Sequence, residues 1–263
     1  MQSKLIHICL FLLISVASYA QDTLAQGVRY FKTDKLNQIY YISTSNVIHK
    51  VQTSTGIDYE YHNDLVGAFD YLDTSNPFAL LAYASEYSVA IILDRTLNEV
   101  ARFNLQDLGI WDAKAIALSN DNNIWVYDEV NFQLKKLDQQ GKVISGSEDL
   151  SVYNGLMLRP DFILEKKNVI YVKDPAKGIY IFDVFGGFNG DKVEVMIEND
   201  IQILDNKILY QKENRIQAIY LDAVLEKAIN LPEKAPTEFT DFEIQNNTIY
   251  LLQEGSIIKF SLK

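Results

Sequence analysis

All-β structure closed into a ring of six repeated units is what this sequence predicts, and three observations predict it. The first is a short strand, roughly Asn-x-Ile-Tyr, whose apolar anchor recurs at Ile39, Ile124, Ile170, Ile208 and Ile249, with a degenerate copy at Leu80. The steps between anchors are 41, 44, 46, 38 and 41 residues, the length of a four-stranded blade. The second is an aspartate that keeps time with the anchor. Asp94, Asp138, Asp183 and Asp222 follow theirs by 14, 14, 13 and 14 residues, each at the end of a strand. The third is the way the first and last repeats fit together. Repeat six stops at Lys263, 14 residues after Ile249, where the other repeats begin a fourth strand, while residues 22–26 precede the inner strand Val28-Arg-Tyr-Phe31 without a place in repeat one. Residues 22–26 are expected to supply the missing outer strand. The prediction is a six-bladed β-propeller of four-stranded blades, with the N-terminal segment closing the last blade.

Taken in chain order, residues 1–20 read as a cleaved secretory signal. Lys4 gives a positive start, Leu5 to Val16 an apolar run, and Ser18-Tyr19-Ala20 a small-x-small cleavage site. Residues 21–263 then form a single domain. In the third repeat, Ala115-Ile-Ala-Leu118 and Ile124-Trp-Val-Tyr127 flank a Ser-Asn-Asp turn cluster, and Phe132-Gln-Leu-Lys-Lys-Leu137 alternates as a half-buried strand should. Asp138-Gln-Gln-Gly141 is a tight turn, because Asp bonds its own backbone and Gly accepts a positive φ, and Lys142-Val-Ile-Ser145 completes the unit. The fourth repeat follows suit with Phe162–Leu164, Val169–Val172, Gly178–Phe182 and a last strand from Lys192 to Met196. Between the last two, Phe185-Gly-Gly-Phe-Asn-Gly190 reads as a long outer turn. Residues 220–229 come nearest to a helical period, but they fall where the repeat expects strand, turn and strand.

Composition excludes several classes of function. The only cysteine, Cys9, lies in the signal, so disulfides, thiolate metal sites and cysteine nucleophiles are absent from residues 21–263. A formal net charge of -11 with scattered Lys and Arg disfavours nucleic acid and anionic lipid surfaces as partners. No stretch reaches the roughly 20 apolar residues a membrane span needs. Apolar residues make up 48% of the chain, ample for a core that needs no disulfide staple.

The motifs Asn122-Asn-Ile-Trp-Val-Tyr-Asp128, Leu134-Lys-Lys-Leu-Asp138 and Gly141-Lys-Val143 resemble those of NHL-repeat-type six-bladed propellers. Ser75-Asn-Pro-Phe78 and Ser119-Asn-Asp-Asn-Asn-Ile-Trp125 are similar to stretches of small exported Bacteroidota propellers of unknown function. These resemblances imply a scaffold and no particular activity.

Candidate sites are few. Asp70, Asp112, Asp161, Asp200 and Asp241 each lie just before or at the start of an inner strand, which places them at one rim of the central channel. Resemblance to six-bladed lactonases and related hydrolases implies a channel Ca²⁺, held here by some of Asp70, Asp161, Asp200 and Asp241. The alternative is that Asp simply ends the connecting loop. Asp70 and Asp112 stand further from their anchors than the rest. Trp111 lies in a loop on the same rim, either exposed as a partner anchor or packed between blades. The timed aspartates (Asp94, Asp138, Asp183, Asp222) and the repeated Asn37, Asn123, Asn168, Asn206 and Asn247 read as turn chemistry. His49 and His62 are the only histidines beyond the signal, too few for a His-rich metal centre, and Ser145-Gly-Ser147 is no nucleophile elbow.

The sequence therefore reads as an exported, non-catalytic interaction module of the cell envelope, periplasmic or extracellular. It would have an envelope protein as partner, serve as an accessory subunit of an outer-membrane or secretion assembly, and require no cofactor. The alternatives are a Ca²⁺-dependent hydrolase or lyase with its site in the channel, and a propeller that binds carbohydrate or another small ligand.

Overall fold

The computed structural model describes residues 22–223 and 225–262, so the expected signal segment lies outside the described residues. The described chain forms six four-stranded antiparallel sheets. The first strand, β1 (Asp22–Gln26), belongs to the last sheet. Blade one holds β2 (Val28–Thr33), β3 (Ile39–Ser43), β4 (Ile48–Gln52) and β5 (Ile57–Tyr61). Blade two holds β6 (Tyr71–Asn76), β7 (Ala79–Ala84), β8 (Val89–Asp94) and β9 (Glu99–Asn104). Blade three is β10 (Ile116–Leu118), β11 (Ile124–Asp128), β12 (Gln133–Leu137) and β13 (Val143–Gly146), and blade four β14 (Phe162–Lys166), β15 (Val169–Asp174), β16 (Gly178–Asp183) and β17 (Phe188–Val193). Blade five is β18 (Ile201–Leu204), β19 (Lys207–Lys212), β20 (Arg215–Tyr220) and β21 (Leu225–Ala228). Blade six pairs β22 (Asp241–Gln245), β23 (Thr248–Gln253) and β24 (Ser256–Ser261) with β1.

The first strands of neighbouring blades touch: β2 lies against β6 and β22, and β10 against β6 and β14. These strands surround the ring's axis. Successive strands are antiparallel, so connections alternate between two faces. First-to-second and third-to-fourth turns lie on one, the turn face. Second-to-third loops and the blade connectors lie on the other, the loop face.

The core is a set of six apolar layers, one between each pair of adjacent blades. Tyr40, Ile42 and Ile48 of blade one meet Leu72, Leu80 and Ile91 of blade two, and the series returns to its start where Tyr250, Leu252 and Ile257 of blade six meet Phe31, Ile39 and Tyr41. A middle strand is covered on both faces, which is why β3 and β11 are buried at every position and read as continuous apolar runs. All six repeat anchors lie on second strands and are buried. Each contributes about 1.5–3 kcal/mol of burial. Among the described residues, no helix is long and apolar enough to cross a membrane.

Closure follows the expected route. β1 runs antiparallel to β24, from Asp22 opposite Lys259 to Gln26 opposite Ser256, and Lys259 Nζ reaches Asp22 Oδ2 at 2.8 Å. Leu24 and Ala25 pack onto the layer between blades six and one. The strand covers an edge of blade six that would otherwise stand open.

Three of the four timed aspartates build third-to-fourth turns, whereas Asp222 lies two residues past the end of β20, in a turn where Ala223 N donates to Tyr220 O. Asp94 Oδ1 accepts from Thr96 N and Asn98 N, Asp138 Oδ1 from Gln140 N and Lys142 N, and Asp183 Oδ1 from Phe185 N and Gly187 N, all at 2.8–2.9 Å. The residue three places on has positive φ in each: Leu97, Gly141 and Gly186. The first-to-second turns place a residue in the same region, namely Asn37, Asn122, Asn168, Asp205 and Asn246. In repeats three, five and six this is the residue before the repeated Asn.

One expectation is corrected. The outer turn of blade four is short, and its fourth strand begins at Phe188 rather than at Lys192. Asp183 closes the turn on Gly187, and the Phe188 ring then packs against Tyr180 and Phe182 at centroid distances of 5.7 and 5.2 Å. The register shift between Tyr180 and Phe182 absorbs the remaining residues as a bulge around Gly190, whose φ is +94°.

Candidate functional site

Two features stand out: a charged channel with a cavity at each end, and an apolar loop face around one mouth. Asp70, Asp161 and Asp200 each precede the first residue of an inner strand and Asp241 is that first residue, so all four reach the loop-face end of the channel. The greater anchor distance of Asp70 reflects one extra residue within β6, where the register shifts between Asp73 and Asn76, and not a different place. Asp112 is the outlier. It sits four residues before β10, exposed, with its carbonyl accepting from Glu129 N at 3.0 Å.

A cavity of about 360 Å³ at this mouth is lined by Tyr30, Asp70, Asp200, Gln211, Thr240 and Asp241, among others. The acids do not act there as a bare anionic ring. Asp70 accepts from Ser85 N at 3.1 Å and from the Ser85 hydroxyl. Asp161 pairs with Lys173 at 3.0 Å, and Asp200 with Lys32 at 3.1 Å. Lys173 is wholly buried, and its ammonium also donates to the carbonyls of Asn199 at 2.7 Å and Ile197 at 3.3 Å.

Deeper in, Lys32 Nζ also lies 3.2 Å from Glu243 Oε1. The other oxygen, Glu243 Oε2, accepts from Gln202 Nε2 at 2.7 Å and Thr33 Oγ1 at 3.2 Å. Burial pushes the Glu243 carboxyl up to about 7 against the pull of Lys32, and likewise raises Asp241 to about 6, where Asp200 adds to the rise. Asp200 behaves oppositely: burial would raise it, but Lys32 holds it below the usual carboxylate range. Burial alone would lower Lys32, yet Tyr30, Asp200, Asp241 and Glu243 keep its ammonium well above its ordinary value. Beyond this plug, Lys32, Glu243, Glu165 and Tyr71 help to line a second cavity of about 300 Å³ at the turn-face mouth.

The acids expected to hold calcium do not fit that ion. Among the described residues, Asp70, Asp161, Asp200 and Asp241 contribute no group of three oxygens close enough to share one cation, whereas a calcium ion takes six to eight oxygen ligands. Two of the four are already neutralised by lysine ammonium groups. Sequence reading passed over Lys32, Lys173, Glu243 and Glu165. The signal was present: Lys32, Glu165 and Glu243 are charged residues inside inner strands, which have neighbours on both sides.

The loop face is different in character. Trp111 is 65% exposed, so it is not packed between blades. Around it the same face exposes Leu65, Tyr87, Val130, Val152, Tyr153, Met157 and Met196. Their loops are tied to one another. Gly67, at φ +76°, leaves room for the Tyr87 ring, which a Cβ there would meet at 2.3 Å. The Asp112 carbonyl holds the loop that carries Val130. The short helix α1 (Leu150–Tyr153) is capped by Asp149, whose Oδ1 accepts from Ser151 N at 2.9 Å, and is docked by Leu150 N on Phe132 O at 3.0 Å. Lys177 donates to the Met157 carbonyl. The apolar side chains thus form an arc from the connector between blades one and two to the connector between blades four and five.

No protein-family model and no curated protein matches the sequence. Solved structures do match the fold. A virginiamycin B lyase from Staphylococcus aureus, a catalytically inactive histidine-to-alanine variant crystallised with quinupristin, aligns over 93% of this chain and 97% of its own, at 14% identity and a TM-score of 0.60. The BBS1N structure in complex with ARL6DN aligns over 91% and 94%, at 12% identity and a TM-score of 0.61. A Bacteroides caccae protein of unknown function aligns over 78% of each chain, at 14% identity and a TM-score of 0.54. At such identities the likeness is one of fold.

Proposed function

We propose that this chain is a non-catalytic protein-binding propeller that docks an envelope partner on its loop face. The observation that carries the reading is the arc of exposed aromatic, aliphatic and Met side chains centred on Trp111, on loops braced to one another. Trp, Tyr and Met are the residues that interfaces favour and solvent-facing loops do not need. The signal-like residues 1–20 support export, and the acidic surface supports a protein rather than a nucleic acid as partner. The likeness to a lyase adds little to a catalytic reading. The variant of that lyase is inactive without a histidine, whereas His49 and His62 here lie on and beside the outer strands of blade one, away from the channel.

The test is in-cell crosslinking and affinity capture read by mass spectrometry, comparing wild type with the double variant Trp111→Ala/Tyr153→Ala and a turn-face control, Phe78→Ala. We expect one defined envelope complex to be lost by at least tenfold in the double variant and kept in the control, with the unfolding midpoints unchanged. Equal recovery from all three would refute the assignment of this face.

A further inference from the structure

Blade one carries a cluster that the loop face does not use. On β4 and β5, His49 stands directly opposite Glu60, and Asp58 lies two residues earlier on the same side of the sheet. His49 Nδ1 is 3.2 Å from Asp58 Oδ2 and 3.5 Å from Glu60 Oε1, and the three donor atoms all lie within 4.8 Å of one another. The imidazole is held flat on the Tyr41 ring, with centroids 4.5 Å apart and planes within 8°, which fixes the direction of Nδ1. Two carboxylates therefore converge on a nitrogen that has at most one proton to give.

A cation resolves that arrangement better than a proton does. A divalent ion about 2.1 Å from nitrogen and oxygen donors in tetrahedral geometry sets those donors about 3.4 Å apart. The two separations from Nδ1 bracket that value. One imidazole with two carboxylates is a donor set suited to borderline first-row ions rather than to calcium. We propose that His49, Asp58 and Glu60 form a surface site for a zinc-type divalent ion, with water completing its shell. Nδ1 is the ligand, so the ring's proton resides on Nε2.

The test is calorimetric titration of Zn²⁺ into the chain prepared without a histidine tag, at pH 7.5. Four proteins are compared: wild type, His49→Ala, Asp58→Asn/Glu60→Gln, and His62→Ala. The last removes the other histidine, which pairs with Asp64 at 2.9 Å. We expect one ion per chain in wild type and in His62→Ala, and at least tenfold weaker binding in the other two. The double variant keeps the stacked ring in place, so its result does not depend on the fold surviving loss of His49. Zinc should also raise the unfolding midpoint of wild type and leave that of the double variant unmoved. Absence of stoichiometric binding at millimolar Zn²⁺ would leave an ordinary histidine–carboxylate ion pair and overturn the proposal. Equal affinity in all four proteins would overturn it too, by placing the ion elsewhere.

Discussion

Glu243→Gln should make the protein more stable at pH 8 and leave it unchanged at pH 5. Glu243 is 3% exposed, and its carboxyl is raised from the ordinary 4.5 to about 7 by burial, with Lys32 only partly offsetting the cost. Between those two values the folded chain holds a proton that the unfolded chain has released. Unfolding free energy therefore falls as pH rises from about 4.5 to about 7, and the loss is complete above the folded value. At about 1.4 kcal/mol per pKa unit, the rise corresponds to about 3 kcal/mol. Glutamine has the shape of the protonated acid and keeps an oxygen to accept from Gln202 and Thr33, while Lys32 retains Asp200. The variant should thus behave as wild type does at low pH, across the whole range. Urea unfolding of both proteins at pH 5, 6, 7 and 8 reads the difference directly. A gap that grows by about 2.5 kcal/mol from pH 5 to pH 8 is expected, the first part of the loss having occurred below pH 5. A gap that stays constant with pH would refute the claim that Glu243 is buried at a cost, and an opposite sign at pH 8 would show that its ionised pair with Lys32 stabilises the ring.

Removing residues 22–26 exposes the β24 edge and the Leu24–Ala25 packing, so unfolding should cost about 2 kcal/mol less, and light scattering should show concentration-dependent self-association; an unchanged, monomeric variant would mean that β1 is not the latch. Glu165→Ala orphans Trp125 Nε1, Ser119 Oγ and Asn120 Nδ2, which donate to its carboxylate at 2.7, 2.5 and 2.8 Å. A loss of about 2–4 kcal/mol is expected. Emission from Trp125, read in a Trp111→Phe background, should change with it.

The fold was legible because its grammar is local. Ile39 and its five counterparts are buried for one reason, their place on a second strand between two blades, so a single apolar position recurs with the blade length. The aspartates were legible for a similar reason: an Asp that bonds two backbone N–H groups, with a positive-φ residue three places on, is a complete turn written in four letters. The segment around Gly190 was misread because glycine signals permission rather than requirement. What ends the turn is the Asp183 bond to Gly187, and what starts the strand is Phe188 finding two aromatic rings on β16. Those rings are visible in the sequence, but the bulge that brings them into register is not.

The channel was only half legible, and the missing half lies in long-range pairing. The repeat places Asp161, Asp200 and Asp241 correctly at one mouth, but it says nothing of what faces them. Lys32 comes to Asp200 across 168 residues, and through Glu243 it joins blade one to blade six. Lys173 folds back on Asp161 from a second strand where an apolar residue would serve the packing as well. Counting acids at a rim therefore overstates its negative charge. Two ammonium groups stand against Asp161 and Asp200, while Asp241 and Glu243 are pushed toward neutrality by burial. The net negative charge of the channel is therefore smaller than its number of acids. Trp111 and the loop that carries Met157 could be picked from the sequence, whereas the exposed side chains of the neighbouring loops became one surface with them only once the loops were placed.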